Sequence, residues 1–406
     1  MVRSILLVAA LAGFTHQTAI PCTNNAKLPS LKFRDDGKFQ IAVFSDFHLA
    51  ESAATPRGPK QDNKTIQVMA DVLDKDRPDL VVLNGDLITG EVTLKDNSTD
   101  YIDPLVAPLV ERKLTWASTY GNHDHTFSLS AENIFSREHE YVGARTQRMV
   151  RTAEAGVSNY FLPVYARSCK DTTACDPELL LWFFDSRGGA YYQRPTAAGA
   201  PTPQPNWVDT TVVEWFQGTN AAFVQRAGRV IPSLAFVHIP PNATSHAQRR
   251  IHPNRNPGID LEQVSQQSQG WCANGTQDWD NPRCRYGGFD VPFMSALAST
   301  PGLMGLFYGH DHANTWCYRW DGEVPGTGIV ARGINLCYGQ HTGYGGYGDF
   351  IRGGREIVLD EERLKRFEVD TYMRLEDGRT VGAVSLNATF NQDWYPATPN
   401  DQTKLE

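Results

Sequence analysis

Five short apolar runs in this chain end in residues able to hold a cation. Phe39–Phe44 leads to Asp46 and His48, and Asp79–Asn84 leads to Gly85-Asp86. Leu114–Tyr120 leads to Gly121-Asn122-His123-Asp124, Ser233–Val237 to His238, and Leu303–Tyr308 to Gly309-His310-Asp311-His312. Apolar runs of this length without polar alternation read as strands of a sheet covered on both faces. Between the first three lie stretches of helical period. Ile66, Met69, Ala70 and Leu73 mark a helix from about Thr65 to Lys75, and Ile102, Leu105, Val106, Leu109 and Val110 a second. Strand, helix, strand, helix, strand is the order of an α/β architecture, whose strand ends converge on one crevice. Any one of these endings has an ordinary explanation, because Asp, Asn and His are common in turns and caps. Five endings in one crevice do not.

The rest of the chain supports this frame. An apolar run from Leu179 reaches Phe184-Asp185, and a helix is predicted over Val208–Phe223, before the strand that delivers His238. Residues 187–206, rich in Gly, Ala and Pro, read as a surface excursion, and 240–290 as a long irregular insert. A short helix follows near Phe293–Leu297. The tail reads as β-rich, with strands at Ile329–Tyr338 and Glu356–Leu359. Residues 20–38 are a polar, proline-punctuated leading segment, and 39–406 read as one domain, since 41% hydrophobic residues in 406 fill one sizeable core. A net charge of −8 argues against nucleic-acid binding.

Met1-Val2-Arg3 and the apolar run Ser4–Phe14 have the pattern of a secretory signal peptide, taken as residues 1–19. The run is too short to span a bilayer. Asn63, Asn97, Asn242, Asn274 and Asn387 head glycosylation sequons. Six of the seven cysteines fall into local pairs, predicting Cys169–Cys175, Cys272–Cys284 and Cys317–Cys337 disulfides with Cys22 left over. The expected compartment is extracellular or vacuolar.

Carboxylate, imidazole and amide ligands together suit Zn, Fe or Mn. The ligands are too many for one ion and divide into two sets if Asp86 bridges. Two ions about 3.5–4 Å apart lower the pKa of a shared water and clamp a phosphoryl oxygen. The succession Asp46-x-His48, Gly85-Asp86, Gly121-Asn122-His123-Asp124, His238, Gly309-His310-x-His312 resembles the calcineurin-like metallophosphoesterase superfamily. Trp316-Cys317, Ile334 to Gly339 and Gly343-Tyr344-Gly345 further resemble a purple-acid-phosphatase-like branch of plants and fungi.

The resemblance implies a four-layer α/β/β/α sandwich with two mixed β-sheets, and two metal ions per chain. One would be held by Asp46, His48, Asp86 and His312, the other by Asp86, Asn122, His238 and His310. His123 would protonate the leaving group, with Asp124 orienting its ring. The pattern departs from true purple acid phosphatases at His48, where they carry Gly, and at Leu87-Ile88-Thr89-Gly90, which lacks their tyrosine ligand. No tyrosinate colour is therefore expected. The implied activity is hydrolysis of phosphate monoesters, on a phosphorylated small molecule or peptide, by a hydroxide bridging the metals. Alternatives are a phosphodiesterase on nucleotides or lipid headgroups, and a non-catalytic binding protein on the same scaffold. His125, His139, His246, His252 and His341 are unassigned; His125 and His341 could line the site, but a surface role is the favoured reading for each.

Overall fold

The computed structural model describes residues 28–264, 271–276 and 285–405. The expected signal peptide, Cys22 and Cys284 lie outside the described residues. The first half of the chain supplies β1 (Leu31–Lys32), β2 (Lys38–Phe44), α1 (Arg57–Lys75), β3 (Leu80–Asn84), α2 (Ile102–Glu111), β4 (Trp116–Thr119) and α3 (Ala131–Glu138). It continues with β5 (Tyr160–Tyr165), β6 (Leu179–Phe183), a hairpin of β7 (Ala190–Pro195) and β8 (Pro201–Pro203), and α4 (Thr210–Ala227). The second half supplies β9 (Ser233–Phe236), α5 (Asn242–Gln248), α6 (Val291–Ser299), β10 (Leu303–Tyr308), β11 (Cys317–Val324) and β12 (Ile329–Tyr338). It ends with β13 (Gly353–Asp360), α7 (Glu361–Leu364), β14 (Val369–Leu375) and β15 (Thr380–Leu386).

These strands form two mixed sheets. The first, six-stranded, has the order β15-β14-β13-β2-β3-β4, parallel from β2 to β4 and antiparallel elsewhere. The second, seven-stranded, has the order β1-β5-β6-β9-β10-β12-β11, with β6, β9, β10 and β12 parallel.

Alternate residues of each strand face opposite sides, and the packing follows that period. Ile41, Val43, Leu80 and Val82 of the first sheet meet Leu179, Leu181, Leu234 and Phe236 of the second in a shared central layer. Ala42, Phe44, Val81 and Leu83 turn the other way, against Met69, Val72 and Leu73 of α1 and Leu105, Val106 and Leu109 of α2. On the far side, Leu180, Trp182, Ala235 and Leu306 pack under Val212, Phe216 and Phe223 of α4 and Phe293 and Leu297 of α6. Helices, sheet, sheet, helices is the expected four-layer sandwich. Each of β2, β3, β6, β9 and β10 is covered on both faces, which explains why they read as unbroken apolar runs.

Several expectations change. The first helix begins at Arg57 rather than Thr65, because Pro59 in its first turn lacks only an N–H that would go unbonded there. The leading segment contributes β1, paired in parallel with β5. The excursion at 187–206 carries the β7–β8 hairpin, and its first residue, Arg187, is buried and donates to the carbonyls of Trp207 and Glu154. The insert at 240–290 contains α5 and joins the segment after His312 through an Asp260–Asn314 bridge.

Candidate metal centre

The five apolar runs end on one side of the sandwich, and their loops are tied to each other by backbone hydrogen bonds. Asp46 N donates to Gly85 O at 3.0 Å, and Phe47 N and His48 N both donate to Asp86 O at 2.9 and 3.0 Å. These ties hold an unusual backbone. Asp46, His48, Asp86 and His310 have φ of 58°, 49°, 51° and 74°, in the left-handed region that costs an ordinary residue about 1–2 kcal/mol. Four strained residues at strand ends, each carrying a ligand-type side chain, mark a place where function sets the backbone.

Both central carboxylates are aimed by amides of neighbouring loops. His123 N donates to Asp86 Oδ1 at 2.8 Å, and His310 N to Asp46 Oδ1 at 2.9 Å. Gly121 permits this approach, since a Cβ there would lie 2.2 Å from Asp86 Oδ1. The imidazoles are aimed as well. His238 Nδ1 donates to Asn84 O at 2.9 Å. His312 Nδ1 lies 3.1 Å from Tyr347 O, closer than the 3.4 Å to Tyr347 N, so it donates to the carbonyl. His48 Nδ1 is 3.1 Å from Thr89 Oγ1. Fixing Nδ1 in this way leaves Nε2 to face inward.

Inward, like meets like. His48 Nε2 and His312 Nε2 stand 3.2 Å apart, and His312 Nε2 is 3.6 Å from Asp46 Oδ1. His238 Nε2 is 2.9 Å from Asp86 Oδ2, and the buried Oδ1 of Asn122 has no hydrogen-bond partner. Imidazole nitrogens, carboxylates and an amide oxygen gathered this closely are a donor set suited to a cation. Burial holds His48 and His310 down to about 3 and His312 well below its usual range, so these rings are neutral, as metal ligands must be. His238 behaves oppositely. Burial pulls it down, but Asp86 and then Asp46 outweigh this and push it up to about 9, a measure of how strongly that position draws positive charge.

The ligand atoms of Asp46, His48 and His312 lie within 4.8 Å of one another, as do those of Asp86, His238 and His310. These side chains therefore fit two adjoining cation positions, with Asp86 between them: its Oδ2 is also 3.7 Å from His48 Nε2. The groups open on a cavity of about 350 Å³ whose walls include His48, Asp86, His123, His310, His312 and Tyr347. A larger cavity, about 990 Å³, lies elsewhere, beside Lys60, Lys64 and Tyr344, and has none of these ligands. The tyrosine in the smaller cavity, Tyr347, stacks on His312 at 4.0 Å. It gives its hydroxyl hydrogen to Glu262 of the insert rather than to either carboxylate of the clusters.

His123 also reaches this cavity, its ring 4.9 Å from that of His48. The expected partner, Asp124, does not touch it. Asp124 is fully buried and accepts from the amides of Leu87, Ile88 and Gly121 at 2.9–3.2 Å, so its oxygens are spent on the loop. Glu91 takes that place instead, with Oε2 2.9 Å from His123 Nδ1. Burial acts against charge on His123, but Asp86 and Glu91 outweigh it and raise the imidazole to about 10. No motif marked Glu91, which lies in a short turn five residues beyond Asp86.

Two histidines expected at the surface are buried. His125 pairs with Asp185, Nε2 to Oδ1 at 3.1 Å, and ties the loop after β4 to the end of β6. His341 is 2% exposed, with its ring 4.0 Å from that of His312. It is drawn inward because the chain after β12 runs beneath the ligands. A Cβ at Gly343 would lie 2.2 Å from Phe47 O, one at Gly345 2.3 Å from His48 O, and one at Gly346 2.4 Å from His312 Cε1. This glycine loop is the floor of the site.

Away from the site, Cys169–Cys175 and Cys317–Cys337 are bonded, the latter across directly paired residues of β11 and β12. The Cys272–Cys284 pairing falls partly outside the described residues. Asn63 and Asn274 are exposed, and Asn97 and Asn387 half-buried. Asn242 is only 6% exposed, and a glycan there would displace the packing at the start of α5, so that sequon does not suit the folded chain. Among the described residues, no helix is long and apolar enough to cross a membrane.

Comparison with known proteins places the chain in a family. The chain is 27% identical over 92% of its length to "Probable inactive purple acid phosphatase 29" of Arabidopsis thaliana, covering 91% of that protein. It is 28% identical over 85% of its length to "Phosphatase DCR2" of Saccharomyces cerevisiae, of which it spans 55%. A dimetal phosphatase from Danio rerio aligns over 86% of this chain and 98% of its own, at 12% identity and a TM-score of 0.49. The profile described as "Calcineurin-like phosphoesterase" matches residues 39–314, which hold every ligand-bearing strand end, and the chain belongs to that family.

Proposed function

We propose that the chain is a dinuclear-metal phosphomonoesterase, acting on phosphorylated small molecules or peptides outside the cell or in the vacuole. The observation that carries this reading is the arrangement of two ligand clusters around Asp86, with His123 beside them on the same cavity wall. Asp46, His48, Asp86 and His312 would hold one ion, and Asp86, Asn122, His238 and His310 the other. The pair would supply positive charge to the phosphoryl oxygens and a water acidified for attack.

The remaining groups are the protein's own contribution. His123, paired through Nδ1, keeps Nε2 for the substrate and would give its proton to the leaving alkoxide. Thr89, Asn84 and the Tyr347 carbonyl keep the imidazoles in register. Iron, zinc and manganese all match the donor set. The two disulfides support an oxidising compartment.

A non-catalytic reading has in its favour the word "inactive" in the names of three Arabidopsis relatives. Against it stands the ligand set of this chain, which has no gap. Metal analysis of the purified protein, with turnover of a phosphomonoester and a phosphodiester measured side by side, decides the matter. Two ions per chain and faster monoester release are expected. Two ions with no release of either product would leave a binding protein, and faster diester release would reassign the substrate.

A further inference from the structure

We infer that Glu91 is the positioning residue of His123, the role its neighbour Asp124 cannot fill. Asp124 has both oxygens engaged by the amides of Leu87, Ile88 and Gly121. Glu91 Oε2 stands 2.9 Å from His123 Nδ1. The inference rests on the phosphoesterase reading, because it assigns a role within that reaction.

The turn that carries Glu91 is built against the loop that carries His123. Gly90–Val92 form a single 3₁₀ turn closed by Thr93, whose hydroxyl donates to Gly90 O at 2.9 Å. At its start, Thr89 N donates to Leu49 O at 2.9 Å. Gly90 lies so close to the following loop that a Cβ would sit 2.7 Å from His123 O. The carboxylate is therefore delivered by a turn pinned at both ends. The same segment orients a second imidazole, since Thr89 Oγ1 faces His48 Nδ1 at 3.1 Å. One short stretch thus sets the rings of His48 and His123 together.

An ordinary surface ion pair would be the alternative, as the Glu91 side chain is 46% exposed and that of His123 35%. Such pairs contribute little to folding. The role argued for Glu91 is not stability. A carboxylate on Nδ1 fixes the tautomer and aims Nε2, and a ring free to turn loses reactive orientation while the protein stays folded.

The test compares Glu91→Ala, Glu91→Gln, His123→Ala and the double variant Glu91→Ala/His123→Ala on an alkyl and an aryl phosphate monoester, with metal content measured for each. Glu91→Ala should lower kcat on the alkyl ester about 10–100-fold, with KM nearly unchanged and both ions retained. The aryl ester, whose phenolate leaves without a proton, should change little. Glu91→Gln, which keeps an acceptor for Nδ1–H, should recover most of the loss. The double variant should be no slower than His123→Ala, since residues acting as a unit are not additive.

Equal losses on both esters, or a double variant slower by the product of the single effects, would overturn the assignment. NMR of ¹⁵N-histidine-labelled protein gives a readout independent of turnover: a downfield Nδ1 proton assigned to His123 should vanish in Glu91→Ala. If the metal-loaded wild type hydrolyses no ester, the proposed function fails. The resonance then still decides the pairing, and its persistence in Glu91→Ala would refute it.

Discussion

Three strands of the first sheet end in both carboxylates, the amide and two imidazoles, whereas two strands of the second end in His238, His310 and His312 alone. Among the candidate ligands the first sheet also carries most of the strain, with left-handed backbone at Asp46, His48 and Asp86 against His310 in the second. The loops after β2 and β3 are laced by a run of backbone hydrogen bonds from Asp46 to Thr89, while the loops after β9 and β10 are joined by Gly309 N to His238 O at 3.1 Å, and His238 and His312 are aimed through Nδ1. Negative charge is costly to gather, and the sheet that gathers it is the one whose loops hold one another in place. Imidazoles need only to be aimed. On this view, damage to the first sheet should be felt across the site, and damage to the second should stay local.

The strongest break would come at Asp86, which touches groups from both sheets. Asp86→Asn should lose both ions and lower turnover by about 10⁴-fold or more, the scale of losing the metals' charge stabilisation. Metal analysis beside phosphate release checks it, and retention of two ions would refute the shared position.

His123→Ala comes next. Alkyl ester turnover should fall about 10²–10⁴-fold, the usual share of general acid catalysis, while both ions remain and aryl esters lose much less. Equal losses would leave His123 only an electrostatic role.

His238→Ala sharpens the contrast between sheets. Removing one second-sheet ligand should cost about one ion per chain and slow alkyl and aryl esters alike, by about 10²-fold. Loss of both ions would show that the two positions do not separate as drawn.

The smallest effect concerns stability. Glu356 on β13 is buried in the first sheet, accepts from Gln40 Nε2 at 2.9 Å, and is pushed up to about 8 by burial. The folded state thus holds its proton more tightly than the unfolded chain, near 4.5. This contribution is fully present below the unfolded value and is lost as pH rises toward 8. Glu356→Gln should therefore flatten the fall in stability between about pH 4.5 and 8, gaining on the order of 1 kcal/mol or more at the upper end. Chemical denaturation of both forms at pH 5 and pH 8 measures it, and an unchanged slope would mean the buried carboxyl is compensated elsewhere.

What the sequence revealed follows the same division. The candidate ligand positions were legible because each closes an apolar run, and doubly covered strands leave no other reading of Asp79–Asn84 or Leu303–Tyr308. Strands β11, β14 and β15 lie near sheet edges with half-exposed faces, so their alternation is diluted by Arg319, Asp370 and Arg374 and gives no clear run. Glu91 was hidden for a different reason. Its partner is set by a close approach of two turns, and neither turn has a period to read. Asp124 misled because adjacency to His123 in the chain suggested contact, while the 3₁₀ turn at Asn122–Asp124 sends the two side chains apart. His341 could be placed at the site only as the less favoured reading, because its burial depends on the glycine loop, whose fit against Phe47 and His48 is a tertiary fact.

That loop and the strand after it also bear on how the protein is made. β2 lies between β3 and β13 in the first sheet, with Val43 opposite Arg355 and Ile41 opposite Ile357. A growing chain that has reached Asn314 already contains every ligand side chain, yet one edge of β2 is bare and the floor at Gly343–Gly346 has not been synthesised. At usual translation rates, β2 waits roughly 15–60 s for its partner. During that interval an apolar edge strand stands open to wrong pairing. The chain must keep it covered by other means until its last quarter arrives, so the yield of correctly assembled sites is set late in synthesis, by residues that hold no metal themselves.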